Sequence, residues 1–322
     1  MAACADDSAE RRGVVIEFLL FAQFTATFFG ESDLMDKTVK FIPREPTLYN
    51  YSFVIRYTDY WMSFLRTFLI CLMCVVIQTF ICSSVGYGFA KFRFKGRGLL
   101  FAAVIFTIVI PPQTIMLPLF MKFRYFDVFG ILQAVFGVTI KTVDTIVPLL
   151  MLSLTGLAFR CGLFIFLMRQ FYRGTPDELN EAAYVDGAGV YRTFFSIIFP
   201  LGRSLMITIF IHAFVWQWTD TFYSGLFFSN MKVLSSMVAD VTLIPSLQVS
   251  GGSALSGLMV NTATMLILFP LLVVYLCTQR LMISDDRGNR AQRHNRLIFS
   301  LYIPYGKAPA GSGGRFQPVD EP

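Results

Sequence analysis

The stretch TFLICLMCVVIQTFICSSVGYGFA, residues Thr67–Ala90, contains no charged side chain, and neither does Gly98–Met121. Each run exceeds the ~20 apolar residues that carry a helix across ~30 Å of hydrocarbon. The rest of the chain agrees. Of its 322 residues, 55% are hydrophobic and 15% charged, where a soluble domain carries about 25% charge. There is too little charge to make a polar skin for a soluble fold of this length. The reading is an all-α, polytopic membrane helical bundle.

The same composition excludes disorder, collagen and a disulfide scaffold. Four of the six cysteines, Cys71, Cys74, Cys82 and Cys277, lie in apolar spans, with Cys161 in another and Cys4 at the N-terminus. Cys71 and Cys74 form a CxxC without a histidine or carboxylate neighbour, so small buried side chains explain them better than a metal or redox centre. The net charge of +6 does not signal nucleic acid, because the basic residues flank apolar spans. No A-x-A-like site follows a short apolar core near the N-terminus, so no removable signal peptide is expected.

Six spans are predicted: Val14–Phe29, Arg66–Ala90, Leu99–Met121, Thr145–Met168, Ser204–Tyr223 and Ser256–Gln279. Pro111, Pro112 and Pro118 interrupt the third and Pro270 lies in the sixth. Such prolines free backbone carbonyls, which a membrane tolerates only where neighbours or a water-lined path satisfy them. Residues 1–62 form an N-terminal segment with a short first span and an outer loop, 63–280 the core, and 281–322 a tail whose Gly/Pro/Ala-rich end reads as disordered. Topology follows from Lys91, Arg93, Lys95 and Arg97 after span two, and from Arg280, Arg287, Arg290, Arg293 and Arg296 after span six. Short basic loops stay cytoplasmic. Both termini are then cytoplasmic, which requires Val14–Phe29, preceded by Arg11 and Arg12, to cross.

The inner loop at 169–200 is the most structured connection. Thr175-Pro176-Asp177-Glu178 reads as a capping box, with Thr175 as the cap and proline at the first helical position. The helix runs to about Asp186, where Gly187 can take the left-handed conformation that ends it. Leu179, Ala182, Ala183 and Asp186 share one face by spacing, and the alanines allow another surface to approach closely. A second amphipathic turn, with Val190, Phe194, Ile197 and Ile198 on one side, stops at Pro200. A helix lying on lipid is the competing reading, but lipid-facing stripes favour Leu, Phe and Trp over Ala.

Glu181-Ala182-Ala183, three residues, Gly187, nine residues, Ile197, two residues, Pro200 resembles the EAA loop of ABC-importer permeases. Phe199 stands where the family usually has leucine. The likeness to maltose-type carbohydrate permeases extends over about residues 41–280. It includes Phe41-Ile42-Pro43, Gly88-Phe89-Ala90-Lys91-Phe92, Leu117-Pro118-Leu119 and Phe164 to Phe171. Trp218-Thr219-Asp220 resembles the family's Trp-Asn-Asp, whereas Asn261 stands where alanine is common. The resemblance implies a type I ABC-importer permease fold in the cell membrane. Its implied partners are a second permease subunit, a cytoplasmic ATPase dimer gripping Glu181, Ala182, Ala183, Asp186, Gly187, Ile197 and Pro200, and an extracytoplasmic solute-binding protein. The solute would be a small molecule, a sugar by family. The chain has no GxxxxGK[ST], so ATP hydrolysis would fall to the partner and no enzymatic activity or cofactor is expected of this subunit.

Other side chains carry open alternatives. Arg160, inside the predicted fourth span, is expensive at membrane depth. It lines the pathway, pairs with a carboxylate of the partner permease, or sits shallow because its helix starts late. Trp216, Gln217, Trp218 and Asp220 could meet a sugar, or the tryptophans could be interfacial belt residues. The loop Asn230–Ser256 is either a contact for the binding protein or a plain connection. His212 reads as a satisfied core residue. An ion-coupled secondary transporter is the alternative function. It would call for intramembrane carboxylate pairs and internal symmetry, which the sequence does not display.

Overall fold

The computed structural model describes residues 18–36, 38, 41–127, 140–244 and 255–278. The predicted tail, residues 14–17 of the first span and positions 245–254 of the outer loop lie outside them. In chain order the helices are α1 (18–26), α2 (Glu31–Met35), α3 (Tyr49–Tyr57), α4 (Tyr60–Lys91), α5 (Arg97–Val109), α6 (Met116–Arg124), α7 (Val147–Leu154), α8 (Cys161–Arg173), α9 (Glu178–Val185), α10 (Val190–Leu201), α11 (Arg203–Trp218), α12 (Phe222–Phe227), α13 (Met237–Thr242) and α14 (Leu255–Thr278). Among the described residues, α4 and α14 are each long and apolar enough to cross a membrane. The bent pairs raise that number to four if each is one span.

The long helix α4 is the spine, packed against α8, α11 and α7. At 32 residues it is ~48 Å long, longer than the apolar run alone suggested. The predicted third span is not straight. It bends by 103° between α5 and the segment from Pro112, because consecutive prolines withhold the N–H groups that would continue the α5 ladder. The predicted fourth span is also broken. It divides into α7 and α8 at 155–160, with Gly156 (φ +70°) and Arg160 (φ +62°) in left-handed conformations. The predicted fifth span ends early, at Trp218, and Phe222–Phe227 forms a separate short helix.

Breaks inside a membrane protein expose carbonyls that need partners, and side chains from distant helices supply them. Gln78 of α4 is buried and donates to the Phe159 carbonyl in the α7–α8 break at 2.8 Å. Pro270 cannot donate to Leu266 four residues earlier, and the Tyr60 hydroxyl donates to that carbonyl at 3.1 Å. The Trp218 indole N–H donates to the adjoining Ile267 carbonyl, also at 3.1 Å. Near the other end of α14, Asn261 Nδ2 donates to the Gln23 carbonyl at 2.7 Å and ties α1 to α14. Gln78→Leu, which preserves approximate bulk, should leave the Phe159 carbonyl unpaired and cost about 1–3 kcal/mol. The readout is the thermal midpoint of the detergent-solubilised protein; an unchanged midpoint would show that the break does not need this bond.

Candidate functional site: a tethered elbow and a cavity between two broken helices

After α8 the chain turns through Gly174–Asp177 into α9. The capping box does not form. The first α9 bonds are to the Asp177 carbonyl, from Asn180 N–H at 2.9 Å and Glu181 N–H at 3.1 Å, and the Thr175 hydroxyl donates back to the Phe171 carbonyl at 3.4 Å. The cause is Lys91 at the end of α4. Its ammonium donates to the Thr175 carbonyl at 2.6 Å and to the Asp177 carboxylate at 2.5 Å. The hydrogen bond and charge of Lys91 hold the Asp177 carboxyl below its ordinary range. That pairing is therefore fully formed above the usual carboxylate pKa and is lost as pH falls through the lowered value.

Three α4 residues at i, i+4 and i+8 run down to this elbow. The Ser83 and Tyr172 hydroxyls hydrogen-bond at 2.8 Å. Tyr87 packs edge-on against Tyr172, tilts against Phe194 and donates to Asn180 Oδ1 at 3.4 Å. Lys91 completes the row. At the other end of α9, Ala188 N–H donates to the Ala183 carbonyl at 2.9 Å and Gly187 N–H to the Tyr184 carbonyl at 3.0 Å. With Gly187 at φ +76° this is a Schellman termination.

The predicted stripe on α9 splits. Ala183 is 3% exposed and faces the protein beside Asn180, whereas Leu179, Ala182 and Asp186 face outward with Glu181. The reason is the docking of α9 on Tyr87, which turns one alanine inward. The outer face also holds Val185, 87% exposed, and Tyr184, which spacing rules missed because Val185 falls outside the stripe. Pro200 does not stop the second helix. The chain passes through a π turn at Phe194–Ile198, runs on to Leu201 and bends by 74° into α11. Ile198 is buried, Ile197 half-buried, and Val190 and Pro200 exposed.

The second feature is a cavity of about 490 Å³ between the Pro111–Pro112 bend and the α7–α8 break. Its lining includes Thr107, Gln113, Leu152, Arg160 and Tyr223. Arg160 is not inside a helix, as predicted, but at the break just before α8. It is exposed, with its guanidinium 4.8 Å from the Trp216 ring centre and 5.2 Å from that of Phe159. Sequence reasoning missed Gly162, which lets α5 and α8 close this cavity from below. A Cβ there would sit 2.4 Å from Thr107 Oγ1 and 2.9 Å from the Val104 carbonyl.

Gln217, Trp218 and Asp220, the other candidate pathway residues, do not line this cavity. Trp218 is 1% exposed, packed on Phe64 and Phe214. Asp220 is buried and accepts the backbone N–H groups of Phe222, Tyr223 and Ser224, capping α12. Gln217 is half-buried beside them. His212 is exposed rather than in the core, its Nδ1 2.8 Å from the Thr208 carbonyl.

The profile of the family described as binding-protein-dependent transport system inner membrane component matches residues 82–283. The alpha-glucoside transport system permease protein AglG of Rhizobium meliloti is 32% identical over 58% of this chain; the match spans 46% of AglG, less than half its length. The sn-glycerol-3-phosphate transport system permease protein UgpE of Yersinia pestis is 27% identical over 83% of this chain and 89% of its own. The fold is shared with a crystal structure of a bacterial ABC transporter involved in the import of the acidic polysaccharide alginate. That likeness has a TM-score of 0.67 at 18% identity, covering 87% of this chain and 95% of that one. With more than half of its residues inside the family match, this multi-pass chain belongs to the inner membrane components of binding-protein-dependent transport systems.

Proposed function

We propose that the chain is a permease subunit of an ATP-driven ABC importer, forming the membrane pathway for a carbohydrate together with a second permease. In this reading Glu181, Ala182, Ala183, Asp186, Gly187, Ile197 and Pro200 belong to the segment gripped by a cytoplasmic ATPase dimer, which hydrolyses the ATP. An extracytoplasmic binding protein delivers the solute, and both termini are cytoplasmic. The names of the relatives, an alpha-glucoside permease among them, support a carbohydrate.

The observation that carries the reading is the tie between the elbow and the spine. A short helix closed at its C-terminal end by Gly187 is bound to α4 through Tyr87 and Lys91. Force applied to α9 therefore reaches the longest described helix. Its exposed Leu179, Val185 and Tyr184 offer apolar surface to a groove, and Glu181 and Asp186 offer acceptors to the donors of a partner.

The test is affinity purification from membranes together with accessibility of a cysteine placed at Ala182. An ATPase should co-purify, and the cysteine should be labelled from the cytoplasmic side. Labelling from outside only, or full transport by the chain reconstituted alone, would overturn the proposal.

A further inference from the structure

The carrying observation is a positive charge without a negative one beside it, in a cavity at membrane depth. Helices α5 and α8 each have 13 residues, which is ~20 Å of helix, and each has an arginine at its loop end, Arg97 or Arg173. The two discontinuities therefore stand ~20 Å from the basic ends of their helices, well inside the ~30 Å of hydrocarbon. They flank the same cavity.

The cavity lining contains Arg160 but no Asp or Glu. Among the described residues no carboxylate lies within ion-pair distance of Arg160. Its guanidinium rests on Trp216 and Phe159, contacts that hold the group without consuming its hydrogen-bond donors. The N-terminal residues of α8, Cys161 and Gly162, also line the cavity, so the positive end of the helix dipole adds to the arginine's field. Gln113 and Tyr223 also line the cavity, whereas the Thr107 hydroxyl is already donated to the Val104 carbonyl.

We propose that this cavity takes an anionic group, a carboxylate or phosphate carried by the transported solute, with Arg160 as its ligand. Unpaired charge at this depth is expensive, and an arriving anion removes that penalty while its polar remainder meets Gln113 and Tyr223. Neutral solutes gain nothing from the arginine. The inference rests on the permease reading above for its biological meaning, but binding itself can be measured independently of transport.

The experiment uses the complete complex in nanodiscs, with the emission of Trp216, stacked on Arg160, as the readout. The probes are glucuronate against glucose, and sn-glycerol 3-phosphate against glycerol. At least one anion should give a saturable change in emission, with its neutral counterpart giving none. Arg160→Gln should weaken that binding by about ten- to hundredfold, the range for hydrogen bonds to a charged group, and Arg160→Lys should restore part of it. Equal responses to glucose and glucuronate, or an unchanged affinity in Arg160→Gln, would overturn the proposal. So would loss of the partner permease from purified Arg160→Gln complex with rescue by Arg160→Lys, since that result assigns the arginine to an ion pair between subunits. ATP hydrolysis by the same complex tests the permease reading separately; anion binding without an associated ATPase would sink that reading and leave this one standing.

Discussion

Gly187→Val should reach the membrane in normal amounts and abolish ATP-driven uptake. The position demands φ +76°, which a β-branched residue adopts only at a cost of the order of 1–3 kcal/mol. Space is not the obstacle, because nothing lies within 4 Å of a Cβ there. The strain is relieved instead by opening the Schellman bonds from Ala188 and Gly187, which swings α9 relative to α10. Helices α4, α8 and α11 are untouched, so insertion should be normal while co-purification of the ATPase, or its coupling to transport, fails. Gly187→Ala, with less strain, should retain part of the activity. Uptake at the wild-type rate in the valine variant would contradict the assignment of the elbow.

Trp218→Ala should do the opposite and fail at the level of the folded protein. The indole is almost fully enclosed, packs against Phe64 and Phe214, and donates to the Ile267 carbonyl. Removing it creates a large cavity and deletes the hydrogen bond to the Ile267 carbonyl, a loss of about 3–5 kcal/mol. The expected results are reduced yield and a lowered thermal midpoint. Trp218→Phe should recover most of the packing but not the hydrogen bond. If Trp218→Ala keeps its thermal midpoint and loses only transport, the residue belongs to the pathway after all.

What could be read from the sequence alone divides along a physical line. Charge-free runs mark α4 and α14 because hydrocarbon selects composition averaged over a whole helix. The Pro111–Pro112 bend was equally legible, since a missing N–H is a local defect. The α7–α8 break was not. Its markers, Gly156 and Arg160, sit in a run apolar enough to pass as continuous, and the partner that makes the break tolerable is Gln78, 81 positions away in the chain. The elbow shows the same division. Gly187 could be placed at the end of its helix from local rules. The capping box is absent where Lys91, remote in sequence, bonds the Thr175 carbonyl and Asp177, and α9 docks on Tyr87 through Asn180, on the face that also holds the buried Ala183. Trp218 and Asp220 left a sugar contact and an interfacial belt both open for a similar reason: a tryptophan and an aspartate near a helix end carry no local sign of Pro270 or of the α12 cap.

The length of α4 has a mechanical meaning. One end holds the elbow through Lys91, and the other begins after Asp59, whose carboxylate pairs with Lys232 at 3.2 Å. A rod of ~48 Å pivoting by ~10° about one tip sweeps the other through ~8 Å. With the pivot at the elbow, a small rotation there carries the Asp59 end, and with it the exposed ion pair to Lys232, through that distance.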